Sequence, residues 1–148
     1  MLSENLPIYN IVFELSKTSF SYAKNFERPS RIMVGERMVN NSLDMLSCIL
    51  NANSELASER IKHLNRLKVL LEEMKTLARF CTEMKIISNK QSATFAILLG
   101  NIGKQLNGWR KSTLDKITNG INEINKKAEQ DDIDFNDFIE NIEKIGQI

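Results

Sequence analysis

Apolar residues recur at steps of three and four positions along most of the chain, the spacing of one face of an α-helix. The pattern is most regular between Ser58 and Lys85, where no glycine or proline interrupts it. A narrow apolar stripe of this kind is typical of helices in bundles and coiled coils. We therefore predict a helix of about 40 Å that needs partner helices of similar length. Its apolar positions are Ile61, Leu64, Leu67, Leu71, Met74, Ala78, Cys81 and Met84.

Two helices are predicted before this one. Leu6-Pro7 opens the first, because proline suits the first helical turn, and it ends near Asn25. Residues 25–29 are predicted to be a connection, because the residue before a proline avoids the helical region. Ser30 is predicted to cap the second helix, and residues 51–54 to end it. The stripe positions are Ile8, Ile11, Val12, Leu15, Ser19 and Tyr22 in the first helix, and Met38, Leu43, Leu46, Ile49 and Leu50 in the second.

A fourth helix is predicted from the capping box that Ser88 forms with Gln91. Gly100 and Gly103 remove side chains from it, which predicts close approach of a neighbouring backbone within the subunit or between subunits. The helix either ends at Asn107-Gly108 or continues with a kink, and we favour continuation. Its apolar positions are Phe95, Leu99, Ile102, Leu106 and Trp109, followed by Leu114, Ile117, Ile121, Ile124 and Ala128. We expect Trp109 to lie in the core or at a subunit interface.

Asp131-Asp132 is predicted to interrupt the fourth helix. A short amphipathic helix is then predicted, with an apolar face of Phe135, Phe138, Ile139, Ile142 and Ile145 and an acidic side of Asp134, Asp137, Glu140 and Glu143. No strand-type alternation persists anywhere in the sequence. The predicted fold is all-α: an antiparallel up-down-up-down four-helix bundle over residues 1–112 and an acidic helical C-terminal extension over residues 113–148.

The net charge of +1 hides an asymmetry along the 148 residues. Residues 1–111 hold 16 basic and 10 acidic side chains, and residues 112–148 hold 4 and 9, so charges of +6 and −5 give the net +1. No acidic residue lies between Met84 and Leu114. The cationic part is a candidate surface for an anionic partner.

The sequence contains no catalytic constellation that we recognise, so we predict that the protein is not an enzyme and has no metal or cofactor. His63 is the only histidine, and Cys48 and Cys81 lack the spacing of a zinc or redox motif. We predict that both cysteines are buried, reduced thiols, as in cytosolic proteins. There is no long apolar run and no basic leader before the first helix, which predicts a cytoplasmic protein without a membrane partner.

Basic residues along the third and fourth helices are candidates for binding nucleic acid or a protein partner. Phosphate contacts from such residues add together, more so in an oligomer, and are strongly salt-dependent. The alternative is that these charges only solvate the helices. Few aromatic residues lie among them, so we do not expect sequence-specific recognition of single-stranded bases. The candidates are Arg60, Lys62, Arg66, Lys68, Lys75, Arg79, Lys85, Lys90 and Lys104.

Three stretches, LPIY at 6–9, RIMVGERM at 31–38 and GKQLNGWRKS at 103–112, occur in an order and spacing that resemble a known family. It comprises the accessory variability determinant (Avd) proteins of bacterial and phage diversity-generating retroelements. They belong to a wider group of four-helix proteins, some encoded in intervening sequences of large-subunit ribosomal RNA. The resemblance covers residues 6–112.

The resemblance implies a homopentameric barrel of bundles with a basic exterior. It also implies a non-catalytic accessory protein that associates with the reverse transcriptase and with RNA or DNA. Such a protein supports mutagenic copying of a template repeat into a variable gene. The basic positions matched to the family's motifs are Arg31, Arg37, Arg110 and Lys111.

Two features leave alternatives open. The chain is less basic than a retroelement member should be, so it could instead be a structural or adaptor bundle of the intervening-sequence type. It also has about 36 residues beyond the usual ending of the family. We expect the acidic segment 131–145 to dock on the basic bundle or on the reverse transcriptase, or else to pack as an extra helix.

Overall fold

A computed structural model of the chain describes residues 2–146, and the elements formed by those residues are all helical. A short 3₁₀ turn, Ser3–Asn5, precedes α1, Pro7–Ala23. Helix α2 joins three consecutive segments: Arg28–Ser30, a π-helical turn Arg31–Gly35, and Glu36–Ser54. Helix α3 is Ala57–Glu83 and helix α4 is Asn89–Gly146. The all-α prediction is confirmed.

The chain divides into two compact units, one ending at Thr113 and the other beginning at Leu114. The first unit holds α1, α2, α3 and the first part of α4, and it contains the hydrophobic core. The second unit consists of the remaining turns of α4. The predicted division into two domains, 1–112 and 113–148, stays a prediction. Residues 1, 147 and 148 of these ranges lie outside the described part of the chain. The core includes Val12, Leu15, Met38, Met45, Ile49, Leu64, Leu67, Met74, Phe95, Ile102 and Leu106.

Side-chain contacts join several of the helices of the first unit. The Asn53 side-chain amide donates a hydrogen bond of 3.0 Å to Ser3 Oγ, which joins the end of α2 to the start of the chain. Thr82 Oγ1 of α3 lies 2.9 Å from Ser92 Oγ of α4. The Tyr22 and Phe95 rings meet edge to face at 5.3 Å, so α4 also contacts α1.

The ends of the helices agree only in part with the sequence. The Ser88 capping box is confirmed: its N–H donates to Gln91 Oε1 at 3.0 Å, and the Gln91 N–H donates to Ser88 Oγ at 3.1 Å. The predicted Ser30 cap is wrong. Helix α2 already begins at Arg28, because Pro29 has the φ angle that the first helical turn requires.

The predicted end of α2 and part of its buried face are also wrong. Residues 51–54 are helical, because the fully buried Ala52 continues the packed face. Leu43 and Leu50 are 46% and 47% exposed. The buried positions not predicted for this helix are Gly35, Asn41, Ser42, Met45 and Ala52. At the end of α3, Met84 is exposed rather than part of the stripe.

The π turn brings Gly35 against the end of α1. A Cβ added at Gly35 would lie 3.1 Å from Ala23 Cβ and 3.3 Å from Phe26 Cδ2. Such crowding explains why a residue without a side chain lies at the end of the π-helical turn in α2. The resembled RIMVGERM stretch therefore includes a packing contact between α1 and α2.

Helix α4 runs without a break through both places where the sequence suggested an end. Its continuation through Asn107-Gly108 confirms that part of the favoured interpretation, and the kink stays a prediction. The predicted interruption at Asp131-Asp132 is wrong, because aspartate lowers helix propensity by only tenths of a kcal/mol and no proline lies nearby. The predicted close approach of a backbone to Gly100 and Gly103 is not seen within the described subunit. Gly100 faces open space, and a Cβ added at Gly103 would lie 3.7 Å from the Leu71 side chain. Approach between subunits stays a prediction.

Gly108→Ala tests the continuity of α4. Gly108 has no positive φ and no neighbour within 4 Å, so alanine should raise the free energy of unfolding by about 0.5–1 kcal/mol. Chemical denaturation measures this change. Gly35→Ala is the matched control, and its gain should be smaller because the new Cβ meets Ala23. If alanine at position 108 lowered stability, the helix would end there with a left-handed glycine.

Candidate nucleic-acid and partner interface

Three of the predicted cations are already in ion pairs along α3. Lys62 Nζ lies 3.0 Å from Glu59, Lys75 Nζ lies 3.2 Å from Glu72, and Arg79 Nε lies 2.9 Å from Glu83. All six side chains are exposed, and such pairs contribute less than about 1 kcal/mol to stability. Each carboxylate offsets the positive charge of its own partner, so these three cations are less available to an anionic ligand than the sequence alone suggested.

Two further candidate arginines are half-buried and hold helices together. Arg60 donates from Nε to the Ala52 carbonyl at 2.9 Å and from Nη2 to the Glu55 carbonyl at 3.0 Å. Its guanidinium also lies 5.9 Å from the centre of the Trp109 ring. Arg110 donates to Asn65 Oδ1 at 2.9 and 3.2 Å, which ties α4 to α3. Trp109 packs against the core, as predicted.

A mixed-charge groove lies between α2 and α3. It consists of two adjoining depressions of about 460 Å³ each, which share Arg37, Val69 and Glu73. We call it the α2–α3 groove. It brings three predicted cations together with four carboxylates; the cations are Arg37, Arg66 and Lys68, and the carboxylates are Glu36, Asp44, Glu72 and Glu73. Arg31 lies apart from it, in a groove with Lys24 and Glu36 beside α1.

The outer face of α4 carries unpaired positive charge. Lys90, Lys104 and Lys111 are exposed, and within residues 2–146 none of them forms an ion pair. They are separated by multiples of seven residues, which is nearly a whole number of helical turns, so they share one face at intervals of about 10 Å or 20 Å. We call this the α4 lysine face. Lys85, also exposed, precedes it in the turn between α3 and α4, with a φ of 58°.

The remaining reactive side chains show no site for chemistry in the described part of the chain. Cys48 and Cys81 are free and buried, as predicted. Burial raises the pKa of the Cys81 thiol to about 11 and also raises the pKa of Cys48, so both stay protonated and poorly nucleophilic near neutral pH. Among residues 2–146, no three His, Cys, Asp or Glu side chains are grouped to hold a metal ion. None of the helices in that range is long and apolar enough to cross a bilayer.

A protein-family model described as bAvd-like matches residues 10–113. This chain belongs to the bAvd-like family. The suspected relationship to Avd proteins is therefore confirmed, and the match includes the stretches at 31–38 and 103–112. The matched region ends at Thr113, where the first compact unit also ends. No curated protein matches the chain significantly. Members of the bAvd-like family are accessory proteins of a non-catalytic kind.

The structure thus sorts the candidate cations into paired, structural and unpaired groups. The paired group could have been recognised in the sequence, because each glutamate lies three or four residues from its partner. The structural role of Arg60 could not, because Trp109 lies 49 positions away in the sequence. Whether any of the thirteen candidates binds a partner stays a prediction.

Arg60→Ala should lower the free energy of unfolding by about 1–2 kcal/mol. The substitution removes a donor from two carbonyls at the end of α2 and the cation above Trp109. Chemical denaturation measures the change, and Arg66→Ala is the matched control, because Arg66 is exposed and makes no hydrogen bond or ion pair within residues 2–146. Equal losses in the two variants would show that Arg60 is only a surface charge.

Proposed function

We propose that this protein is a non-catalytic accessory protein of a diversity-generating retroelement that binds the reverse transcriptase and the template RNA. In this role it supports mutagenic reverse transcription. Membership of the bAvd-like family supports the accessory role. The single structural observation behind nucleic-acid binding is the α4 lysine face, which lies in a stretch without carboxylates.

The α4 lysine face suits phosphate contact better than the other basic regions do. Lys90, Lys104 and Lys111 can approach a phosphate without first breaking an ion pair. No acidic residue on the same stretch of helix repels the nucleic-acid backbone. Lysines of this kind would contact the backbone rather than bases, so we expect little sequence preference.

The α2–α3 groove suits a protein partner, and we assign it to the reverse transcriptase. Its charges have both signs, which disfavours a polyanion but permits complementary pairing with another protein. Apolar side chains such as Val69 and Ile32 lie beside these charges, and both are at least half exposed. A protein interface combines apolar contact with a polar rim in this way.

We further propose that the first unit is an up-down-up-down bundle that assembles into a homopentamer. Two contacts support antiparallel packing, because each joins the end of one segment to the start of another: Asn53 with Ser3, and Thr82 with Ser92. Helix α1 exposes two phenylalanines on one face, Phe13 and Phe20, which lie seven residues apart. Helix α2 exposes two leucines with the same spacing, Leu43 and Leu50. Exposed apolar faces of this kind indicate association with other subunits.

The second candidate function is a structural or adaptor bundle of the intervening-sequence type. One observation favours it: three of the basic residues on α3 are paired with neighbouring glutamates, which leaves fewer unpaired cations on this helix for a nucleic acid. Under this reading the protein would bind neither RNA nor a reverse transcriptase.

A triple variant, Lys90→Gln, Lys104→Gln and Lys111→Gln, tests the RNA site. Fluorescence anisotropy with a labelled 30-nucleotide single-stranded RNA should show weaker binding across a salt series. The slope of log K against log salt should fall by about 2 if all three lysines contact phosphates. The charge-matched control replaces Lys62, Lys75 and Arg79 with glutamine, and its slope should change much less.

Two outcomes would contradict the proposal. Equal slopes for the two triple variants would show that binding follows net charge and has no site on α4. If the unmodified protein neither binds the RNA nor retains a co-expressed reverse transcriptase after nuclease treatment, the structural bundle is the better interpretation. Retention that survives nuclease would show direct contact with the enzyme.

A further inference from the structure

The unbroken course of α4 places nine of the eleven apolar residues in the described part of the second unit on a single seam, and only Ile133 and Ile139 lie outside it. Numbered as heptads from Leu114, the residues of the seam occupy the two core positions, a and d, of five successive repeats. An interruption at Asp131-Asp132 would have separated them into two unrelated faces. The a positions are Leu114, Ile121, Ala128, Phe135 and Ile142, and the d positions are Ile117, Ile124, Asp131, Phe138 and Ile145.

The seam faces solvent over most of its length. Ile124 is 69% exposed, Phe138 59% and Ile145 71%. Within residues 114–146 the structure gives no ion pair and one side-chain hydrogen bond, from Gln130 to Asp134 at 3.1 Å. A helix with so little support from its own side chains depends on burying its apolar face against a partner.

We propose that residues 114–146 pair with the same segment of another copy of this chain as a coiled coil. This inference does not depend on the proposed function. A seam that is apolar at nine of ten core positions is complementary to itself, because each a or d side chain can insert between those of an identical helix. Self-pairing also needs no further segment of unknown sequence to cover the seam.

The charges beside the seam fit a second copy. Lys127 occupies the flanking g position, where it would meet Asp132 of a parallel copy or Asp134 of an antiparallel one. Lys127 thus gains an acidic partner in either orientation. Six of the nine carboxylates lie on the outer positions, away from the seam; these are Asp115, Glu123, Glu129, Asp137, Glu140 and Glu143.

Asp131 is the exception within the seam. Polar residues at a core position reduce the stability of a coiled coil and help to specify its alignment. In a parallel pair Asp131 would meet its own copy, and in an antiparallel pair it would lie near Ala128. Ile133 is the converse case, an isoleucine 54% exposed on the outer f position, and it provides a control of the same residue type.

Disulfide trapping in the full chain tests the pairing directly. Phe138→Cys should form disulfide-linked dimers under mild oxidation if the copies are parallel. A mixture of Phe138→Cys and Ile121→Cys should form the mixed dimer if they are antiparallel. Ile133→Cys is the control and should stay monomeric on a non-reducing gel. The native Cys48 and Cys81 are buried and should not interfere. Trapping at the seam in either orientation supports the proposal, and trapping in neither overturns it.

Amide hydrogen exchange of residues 114–146 in the full chain provides a second measurement. Ile124→Asp should reduce protection of this segment by about tenfold or more, because a carboxylate would be buried at a core position. Ile133→Asp should leave protection within about twofold, as expected for an outer position. Equal losses in both variants would overturn the pairing. Lost protection in Ile124→Asp without disulfide trapping would show that the seam is covered by something other than a second copy.

Discussion

A hydrogen bond inside the core determines how α2 aligns with α3. The Asn41 side-chain amide donates to the Leu70 carbonyl at 3.1 Å, and a buried amide loses this partner if either helix slides by one residue. Contacts at the two ends agree with that alignment: Cys81 Sγ lies 3.6 Å from Met38 Sδ, and Arg60 caps the Ala52 carbonyl. Because this alignment also brings Arg37 beside Lys68, the groove between the two helices follows from it.

The distribution of carboxylates, more than the number of cations, distinguishes the two surfaces that we propose as binding sites. Along α3 the glutamates lie three or four residues from basic side chains and pair with them. On α4 no carboxylate lies between Asn89 and Leu114, and Lys90, Lys104 and Lys111 stay unpaired in the described structure. A helix selected only to be soluble has no reason to exclude acids over such a length, whereas a helix that contacts phosphates does.

Sequence periodicity predicted the first four helices and most of their limits because apolar spacing reflects burial directly, but it placed a separate fifth helix where α4 continues. It failed on α2, where the buried face includes Asn41 and Ser42 and leaves Leu43 and Leu50 half exposed. Polar residues can lie in a core when their bonds are satisfied locally, as Ser42 does with the Val39 carbonyl at 2.7 Å. The candidate site was predicted only as a set of charges. Which cations are structural depends on contacts between distant residues, and spacing along the chain does not contain that information.

The apolar repeat in α4 changes phase where the family match ends. From Phe95 to Thr113 the buried positions follow the bundle, and the seam then restarts at Leu114, one residue later. This shift of one residue is not the four-residue insertion of a stutter, so the buried stripe of the first unit and the seam are two separate apolar repeats. Because the bAvd-like match stops at Thr113, the seam is a property of this chain beyond what the family accounts for. The proposed partner binding by the first unit and the proposed self-pairing of the second therefore depend on different residues, and a substitution at Ile124 should leave the α4 lysine face intact.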